Sequence, residues 1–425
     1  MNAPATLLRD QLAQFGIASR RHERWRRTPL DRLSNLVIAP MAQGYASSPD
    51  SGKANEGKCQ LVLGEDRLNL DAAGIYAPFI RQLDPGQPGC DADEWSGFDV
   101  PGSTGSNRQA GYEIARLNRA CPGLWIAIDI PAHFSNAEPL IITHHRAKPH
   151  QPGIIAPRLR LRLGAGADMT IIESGPDLGP DSGLVQESAF ASVGDVVLER
   201  AARLSHWSLQ HPGQTGIQLA ARCYRLAEAA RLQMVALSFG GALQRFETIV
   251  KLEGEGAHSD LAGLWVLHDQ SHLDHVTDFR HESADASSRQ IFRGILDDRA
   301  SVAMQGRIAI GPGAAGSDAT QNARAMLLSD LARADFKPEL EIFNHDVACS
   351  HGAALGMLDP DQIHYLQTRG IDPEMARQLL LEGFIHDALD DAICADDMIQ
   401  GCESGHLMVR DLISRALHGR SWGQP

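Results

Sequence analysis

The residues best suited to chemistry in this sequence are Cys349 and His351, in the segment LEIFNHDVACSHG at positions 340–352. An extended backbone would place five side chains of this segment on one side: Phe343, His345, Val347, Cys349 and His351. A thiolate and an imidazole two residues apart, about 6 to 7 Å along a strand, can address one site. They are too few to hold iron alone, because a stable iron–sulfur cluster usually takes four protein ligands. A second chain or an exogenous thiol would have to complete the set. The alternative is a buried cysteine beside a hydrogen-bonded histidine.

A second group of possible ligands lies upstream. Its histidines are His268, His272, His275 and His281, and the aspartates Asp269, Asp274 and Asp278 stand between them. Such a mixture could bind zinc or iron. On a strand, however, His275 and His281 share a side with Thr277 and Phe279, which is typical of buried positions. We favour the structural interpretation. The alternative is a β-helical enzyme that acts on a carbohydrate or acyl substrate through the group from His268 to His281.

No complete nucleotide-binding or hydrolase motif supports an enzyme. The segment GKANEGKC at positions 52–59 is close to a phosphate-binding P-loop, but Cys59 stands where that loop needs a Ser or Thr for magnesium. The motifs GxSxG, HExxH and GxGxxG do not occur in a suitable context. We therefore expect a protein that is not an enzyme.

Composition excludes several classes of protein. The chain has 425 residues, of which 43% are hydrophobic and 22% charged, as in a globular protein of two or three domains. Its net charge of -14 argues against nucleic-acid binding, because phosphate contacts need a basic surface. No long uncharged apolar run or signal peptide is evident, so we expect a cytoplasmic protein without membrane contact. The seven cysteines, an odd number without a CxxC pair, predict reduced thiols.

Short strands are predicted between about residues 123 and 351. One example runs from Phe246 to Leu252, where apolar residues mostly alternate with charged ones and Ile249 is the exception. Many such segments without intervening helices indicate a sandwich, a barrel or a parallel β-helix. Asn-Gly and Asp-Gly hairpin turns are missing from this region, which disfavours antiparallel sheets. We therefore favour the β-helix.

The N-terminal region combines a predicted helix with long loops. Residues 3–35 read as helical and carry a basic cluster around Trp25, which consists of Arg20, Arg21, Arg24, Arg26, Arg27 and Arg32. We interpret the cluster as a solvated helix end with one aromatic anchor. Residues 47–60 and 84–107 are rich in Gly, Pro, Ser and Asp, which predicts surface loops.

Helices are also predicted after Leu358. Asp359-Pro360 and Asp372-Pro373 each place an N-cap acid before a proline at the first helical position. The second of these helices has an apolar stripe at i, i+3 and i+4 spacings, made of Met375, Leu379, Leu380, Phe384 and Ile385. A last helix is predicted from about residue 407 to 417.

Together these residues resemble a known family. Segment 340–352 is similar to the C-terminal signature of the SufB/SufD family, the scaffold proteins of the sulfur-mobilising iron–sulfur cluster assembly system. The similarity continues through 352–356, 358–359, 365–366, 369–371, 376–377, 379–380 and 383–384, and upstream it includes 274–277, His281, 288–296 and 306–328. The segment with Trp25 and Thr28-Pro29-Leu30 is similar to the entry segment of the SufD branch. The length of the chain also points to this branch. The sequence departs from the usual family pattern at Asn344, His345 and Ala348.

The resemblance implies a mainly β fold with helical ends. A right-handed parallel β-helix would occupy residues 121–351, between an N-terminal helical region with long loops (1–120) and a C-terminal helical domain (352–425). The implied function is that of a non-catalytic scaffold subunit of the SufBCD complex. Its core would pair with SufB, and its C-terminal helices would dock the SufC ATPase. The residues implied in SufC docking are Ala376, Leu379, Leu380, Gly383 and Phe384.

The resemblance also implies a site. In this family the nascent cluster is thought to form at the SufB–SufD interface, from a SufB cysteine and a SufD histidine. His351 matches that histidine, and Cys349 precedes it as in the family pattern. No cofactor would be bound permanently, and His351 would hold a transient iron–sulfur cluster shared with SufB. A homodimer without SufB is a further option.

Overall fold

Parallel strands make up most of the molecule. The computed structural model describes residues 6–7, 25–29, 32, 37–38, 60–63, 68–69, 73–83, 112–121, 123–144, 153–175, 188–210, 216–393, 402–418, 420 and 422. The predicted P-loop-like segment 52–59, the loop 84–107 and most of the residues 3–35 and 47–60 lie outside these ranges.

The strands are numbered in chain order. The shorter ones near the N-terminus are β1 (Thr6–Leu7), β2 (Val37–Ile38), β3 (Gln60–Leu63), β4 (Leu68–Asn69), β5 (Ile80–Leu83), β6 (Trp125–Ile130), β7 (Leu140–His144) and β8 (Gly153–Ile155). They are followed by β9 (Arg158–Leu163), β10 (Asp168–Ser174), β11 (Ser188–Leu198), β12 (Arg203–Gln210), β13 (Ile217–Leu226), β14 (Arg231–Ser238), β15 (Leu243–Leu252), β16 (His258–Leu267), β17 (His272–His281), β18 (Ser287–Leu296), β19 (Ser301–Ile310), β20 (Ser317–Leu327), β21 (Arg333–Ile342) and β22 (Val347–Gly356).

Two ten-stranded sheets form a β-solenoid. Sheet I has the order β22-β20-β18-β16-β14-β12-β10-β7-β3-β4, and sheet II has the order β21-β19-β17-β15-β13-β11-β9-β6-β5 with β8 beside β11. From β9 to β22 the chain alternates between the sheets, so these 14 strands make seven turns of two strands each. The parallel solenoid with helices at its ends confirms the predicted fold class. Its hand and the predicted domain boundaries stay predictions.

The length of a turn varies. Ile217 pairs with Leu243 of the next turn, whereas Ser301 pairs with Arg333, so the later turn contains several more residues than the earlier one. Because the period drifts, the sequence shows no strict repeat. The space between the sheets, which we call the lumen, holds the main apolar core, including Phe246, Val250 and Leu252 of β15.

The corners between strands replace the hairpin turns that the sequence lacks. The residue two positions before β10, β12, β14, β16 and β18 has a positive φ in every case: Gly166, Ala201, Ala229, Gly256 and Asp285. A buried alanine of the lumen core follows each of them: Ala167, Ala202, Ala230, Ala257 and Ala286. The left-handed residue turns the chain, and a small side chain fills the narrow corner.

Helices and an N-terminal segment cover the outer faces of the sheets. The helices are α1 (Tyr112–Ala120), α2 (Pro360–Thr368), α3 (Pro373–Ile393) and α4 (Cys402–His418), and a short 3-10 helix spans Gly74–Phe79. On sheet II, Ile249 packs with Ile114 and Leu117 of α1, which explains this apolar exception in the alternating strand. On sheet I, Leu381 and Ile385 of α3 pack in one cluster with Trp207. None of the described helices is long and apolar enough to cross a membrane.

The C-terminal caps are confirmed, and the apolar stripe of α3 coincides with its buried face only in part. Asp359 accepts a hydrogen bond from the backbone N–H of Asp361 at 2.9 Å, and Asp372 accepts one from Glu374 at 2.9 Å. In α3 the fully buried residues are Ala376, Leu381, Ile385, Ala388 and Leu389, and only Ile385 belongs to the predicted stripe. Apolar residues cover more than one side of this helix, so spacing alone did not select the buried face.

The N-terminal segment differs from the predicted helix where it is described. Thr6–Leu7 form β1, which pairs with β2 in antiparallel orientation. Trp25 is buried as the anchor that the sequence predicts, and the guanidinium of Arg245 lies 3.9 Å from the centre of its ring. Arg27, from the basic cluster, forms an ion pair with Asp335 of β21. This arginine is therefore paired with the body of the protein.

Candidate functional site

The last turn of the solenoid has free edges. Among the described residues, β22 pairs only with β20 and β21 pairs only with β19, so both sheets end at the same turn. Each of the two edge strands has ten residues. The unpaired backbone groups along such edges can pair with another chain.

Cys349 and His351 lie on β22 at this open end. In the register of the sheet Cys349 stands beside Ala319, and His351 stands beside Gln321. Ala319 and Gln321 are buried residues of the preceding turn. Neighbours in a parallel sheet point the same way, so both candidate residues face the lumen side of the strand. Within the part of the chain that the structure describes, no further turn covers them, and Cys349 is half-buried while His351 is exposed.

The predicted five-residue face is interrupted. β21 ends at Ile342 and β22 begins at Val347, so Phe343 and His345 lie in the connecting bend and not on the strand. Asn344 stabilises this bend, because its side chain donates to the carbonyl of Pro312 at 2.8 Å and accepts from the N–H of Asp346 at 2.9 Å. The expectation of one continuous strand was wrong here because Asn and Asp favour local turns.

The local electrostatics keep the Cys349 thiol protonated. Burial raises the pKa of this thiol, and the nearby Asp318 carboxylate raises it further, while a hydrogen bond from the backbone of Ala319 lowers it in part. A cysteine binds metal as the thiolate. Cys349 alone is therefore a weak ligand, and the exposed imidazole of His351 is the more accessible donor.

Apolar side chains surround the open end. Five large ones are between 43% and 68% exposed: Leu331, Ile342, Phe343, Leu355 and Met357. All of them belong to the last turn or to its connections. Large apolar side chains that are exposed at the edge of a sheet are available to contact another molecule.

The upstream histidine group has structural contacts. His275 is fully buried against Phe246, Trp265 and Phe292, and burial lowers its pKa to about 4. His281 contacts the Ser288 hydroxyl at 2.9 Å. His272 contacts the Ser301 hydroxyl at 2.8 Å. His268 lies beside Trp422 of the C-terminal tail, with 6.1 Å between the ring centres. Within the described ranges, no cluster of three or more His, Cys, Asp or Glu residues could hold a metal ion. The enzyme alternative based on this group is not favoured.

The residues predicted to dock SufC differ in exposure. Ala376 is fully buried inside the chain, whereas Leu379 is 44% exposed and Gly383 is exposed. Leu380 and Phe384 are half-buried. The free surface of α3 therefore includes Leu379 and Gly383 but not Ala376.

The sequence did not reveal a hydrogen-bonded ladder in the lumen below His351. The Gln290 side-chain oxygen accepts from the Thr277 hydroxyl at 2.9 Å and from the Gln321 amide at 3.0 Å. Thr277 and Gln290 are 13 positions apart in the chain, and Gln290 and Gln321 are 31 positions apart. Two glutamines at in-register positions of consecutive turns are a signal for such a ladder, but only once the length of each turn is known.

Comparison with known proteins finds relatives that cover most of the chain. The family model for the SufBD core domain of SUF-system FeS cluster assembly matches residues 145–384. An Escherichia coli K12 protein named iron-sulfur cluster assembly protein SufD is 28% identical over 383 residues, covering 88% of this chain and 85% of that protein. An iron-sulfur cluster assembly SufBD family protein of Synechocystis is 22% identical over 390 residues, covering 90% and 85%. The Bacillus subtilis SufD protein is 32% identical over 139 residues, about a third of each chain.

Proposed function

Because this chain belongs to the SufBD family of iron–sulfur cluster assembly proteins, we propose that it is a non-catalytic scaffold subunit that pairs with SufB through the last turn of its solenoid. The observation that carries the proposal is the open end, where two ten-residue strands have free edges and His351 is exposed on the lumen side. A partner with a similar open end would pair with the free backbone groups and cover the exposed apolar side chains of the last turn.

The incomplete ligand set fits a transient cluster. His351 and the half-buried Cys349 supply at most two ligands, and an iron–sulfur cluster usually takes four. SufB would supply the others at the shared interface. Neutral imidazole is a weaker permanent anchor than thiolate, so a mixed and shared site can fill and then release its cargo. The cluster is thus a substrate of the assembly reaction and not a resident cofactor.

The C-terminal helices are the proposed docking site for the SufC ATPase. Leu379 and Gly383 are one turn apart on the exposed side of α3, and Met375 extends this surface with 46% of its side chain exposed. On this proposal, SufC supplies the energy, and closure of its subunits moves the C-terminal helices together with the sheet on which they pack. Ala376 supports the surface from inside and makes no contact with SufC.

The docking proposal predicts a specific loss of binding. In Leu379→Asp a charge replaces an exposed apolar contact, and we expect affinity for SufC to fall about tenfold while pairing with SufB is unchanged. Titration calorimetry measures both. Arg415→Ala is a matched control, because the Arg415 side chain is 75% exposed on α4 and pairs with Asp411 of the same helix. Equal SufC affinity for Leu379→Asp and the control would contradict docking at α3.

The site proposal is tested with His351→Ala in the complex reconstituted from SufB, SufC and this chain. We expect the complex to assemble normally and to lose cluster formation, followed by absorbance after addition of iron and a sulfur donor. His345→Ala is the control, because His345 is exposed in the bend just before β22. Cluster formation at the wild-type rate in His351→Ala would overturn the assignment of the site.

The proposed scaffold role also has consequences for the isolated chain. We expect it to have no ATPase activity. Its free edges could pair with a second copy when SufB is missing, so equilibrium sedimentation should show a homodimer that SufB converts into the heterodimer. Substrate turnover by the chain alone that His275→Ala abolishes would instead support the β-helical enzyme.

A further inference from the structure

We propose that residues 25–29 and Arg32 form a releasable strap on the outer face of sheet II, and that closure of this strap and partner binding at the open end stabilise each other. The part that concerns binding rests on the proposed function, because it involves the same open end. The strap itself can be tested in the isolated chain.

The strap crosses several turns of the solenoid. One row in the register of sheet II takes one residue from each of the four strands nearest the open end: Arg245, Asp274, Ala303 and Asp335. At a strand spacing of about 4.8 Å this row is about 14 Å long. Trp25 lies at one end of the row, with the Arg245 guanidinium 3.9 Å from the centre of its ring, and Arg27 forms an ion pair with Asp335 at the other end. The strap therefore connects the edge strand β21 to β15, three strands deeper in the sheet.

Polar contacts hold the strap closed between these ends. The Thr28 hydroxyl donates to the Asp274 carboxylate and accepts from Nη1 of Arg245 at 3.0 Å. Arg32 donates to the backbone carbonyl of Ala242, next to the start of β15. Trp25 and Thr28 are 2% and 1% exposed, so this part of the strap is fully packed against the sheet.

The strap covers charged groups as well as apolar surface. The Arg245 side chain is fully buried between the Asp274 carboxylate and Glu247, whose Oε1 is 2.6 Å from Nε of Arg245. Removing charges from water is costly, and much of their mutual attraction only offsets this cost. When the strap lifts, water can hydrate these groups, which compensates in part for the lost contacts. The strap therefore opens at a smaller cost than a cover over a purely apolar core.

Arg27 connects the strap to the first half of the edge strand. Its partner Asp335 is the third residue of β21. In the second half of β21, Glu341 instead pairs with Arg307 of the neighbouring strand β19 at 2.5 Å. The two halves of the edge strand thus have different support on the outer face. Release of the strap should loosen the first half and leave the second half unchanged.

A loosened edge strand binds a partner less well. A frayed strand must be ordered before another chain can pair with it, so the apparent affinity falls with the fraction of molecules in which the strand is ordered. Coupling between two equilibria is reciprocal. A partner bound to β21 therefore favours the closed strap.

Hydrogen exchange in the isolated chain tests the strap first. The informative amides are those of Asp335 and Lys337, which alternate with the free-edge amides and point to β19, as Arg333 does when it donates to the Ala300 carbonyl at 3.0 Å. In Arg27→Ala we expect both amides to exchange about threefold faster, the scale of an exposed ion pair.

The controls lie within the same chain. Arg26→Ala removes an exposed arginine at the adjacent position and should leave the exchange of Asp335 unchanged. The Glu341 amide should keep its wild-type rate in Arg27→Ala. The double variant Arg27→Ala/Asp335→Ala should exchange at Lys337 no faster than either single variant, because both remove one ion pair. Wild-type exchange in Arg27→Ala, or an equal increase in Arg26→Ala, would overturn the inference.

Trypsin measures release of the strap directly. It cleaves after Arg26 and Arg27 only when the strap has lifted, and mass spectrometry identifies these cuts. Thr28→Val loses both hydrogen bonds of the buried hydroxyl, so we expect about tenfold faster cleavage in a chain that keeps its circular dichroism. Thr320→Val is the control, because Thr320 is half-buried on sheet I. Equal cleavage rates in the wild type and in Thr28→Val would overturn the release.

The coupling is tested with SufB. We expect SufB affinity to fall about threefold in Arg27→Ala and to stay unchanged in Arg26→Ala, and we expect bound SufB to slow cleavage of the wild-type strap. Wild-type SufB affinity in Arg27→Ala would overturn the coupling. The proposed function fails separately, if His351→Ala leaves cluster formation intact.

Discussion

Polar side chains that face the lumen have different environments in the middle turns of the solenoid and in its last turn. In the middle, the Glu173 carboxylate is buried in the lumen and accepts hydrogen bonds from His144 at 2.8 Å, His206 at 3.1 Å and Arg222 at 2.5 Å. The second ring nitrogen of His206 lies 2.7 Å from the Tyr224 hydroxyl. Each of these groups is satisfied within the chain.

At the last turn the same kind of position is open to solvent. His351 faces the lumen side as His206 does, but the solenoid ends there and the imidazole is exposed. The difference shows how one fold serves two purposes. Where another turn follows, a lumen histidine such as His206 is enclosed and hydrogen-bonded, and where none follows, it is available to a second molecule.

The largest effect is expected in the middle. Desolvation raises the pKa of the Glu173 carboxyl, but Arg222 and the hydrogen bonds from both histidines outweigh it and hold this pKa well below its ordinary value. In Glu173→Ala the Arg222 charge stays buried without its partner, so we expect a loss of about 3 to 5 kcal/mol in the free energy of unfolding, measured by urea denaturation. Asp411→Ala, which removes an exposed pair with Arg415, should cost less than about 1 kcal/mol. Similar losses of unfolding free energy in both variants would contradict the account of Glu173 as a buried and paired group.

A smaller effect is expected from pH. Burial lowers the pKa of His275 to about 4, and its unfolded value is about 6.5. Between these values the unfolded chain binds a proton that the folded chain does not, so stability falls as pH decreases from about 6.5 toward 4. His275→Leu should make this decrease shallower, measured as urea midpoints across this range. His345→Ala, at an exposed position, should keep the wild-type slope. An equally steep decrease in His275→Leu would show that His275 is not buried in its neutral form.

Sequence reasoning predicted the features that short-range patterns encode. The alternation in β15, the caps at Asp359 and Asp372 and the pair of Cys349 and His351 on one side of a strand all depend on residues a few positions apart. The ladder of Thr277, Gln290 and Gln321 joins different turns, and the length of a turn changes along the solenoid. Its members could therefore not be aligned from the sequence.

The alanine that recurs at the corners before the strands of sheet I is a repeat that the sequence analysis missed. Ala202, Ala230, Ala257 and Ala286 each stand one residue before a strand of sheet I, and they recur at a nearly constant spacing. Alanine is common in all structures, so this repeat is weak until the positive φ of the preceding residue is known. The bend at Asn344 was missed for a related reason, because the apolar alternation continued across it.

The most direct test of the account is hydrogen exchange of the edge strands β21 and β22, with and without SufB. In the isolated chain, amides that point to the free edges should exchange rapidly, because they have no backbone partner. When sedimentation confirms that SufB is bound, we predict at least tenfold slower exchange in Val347–Gly356 and Arg333–Ile342, and no change in the interior strand His258–Leu267. Unchanged exchange at both edges in the SufB complex would contradict pairing through the open end.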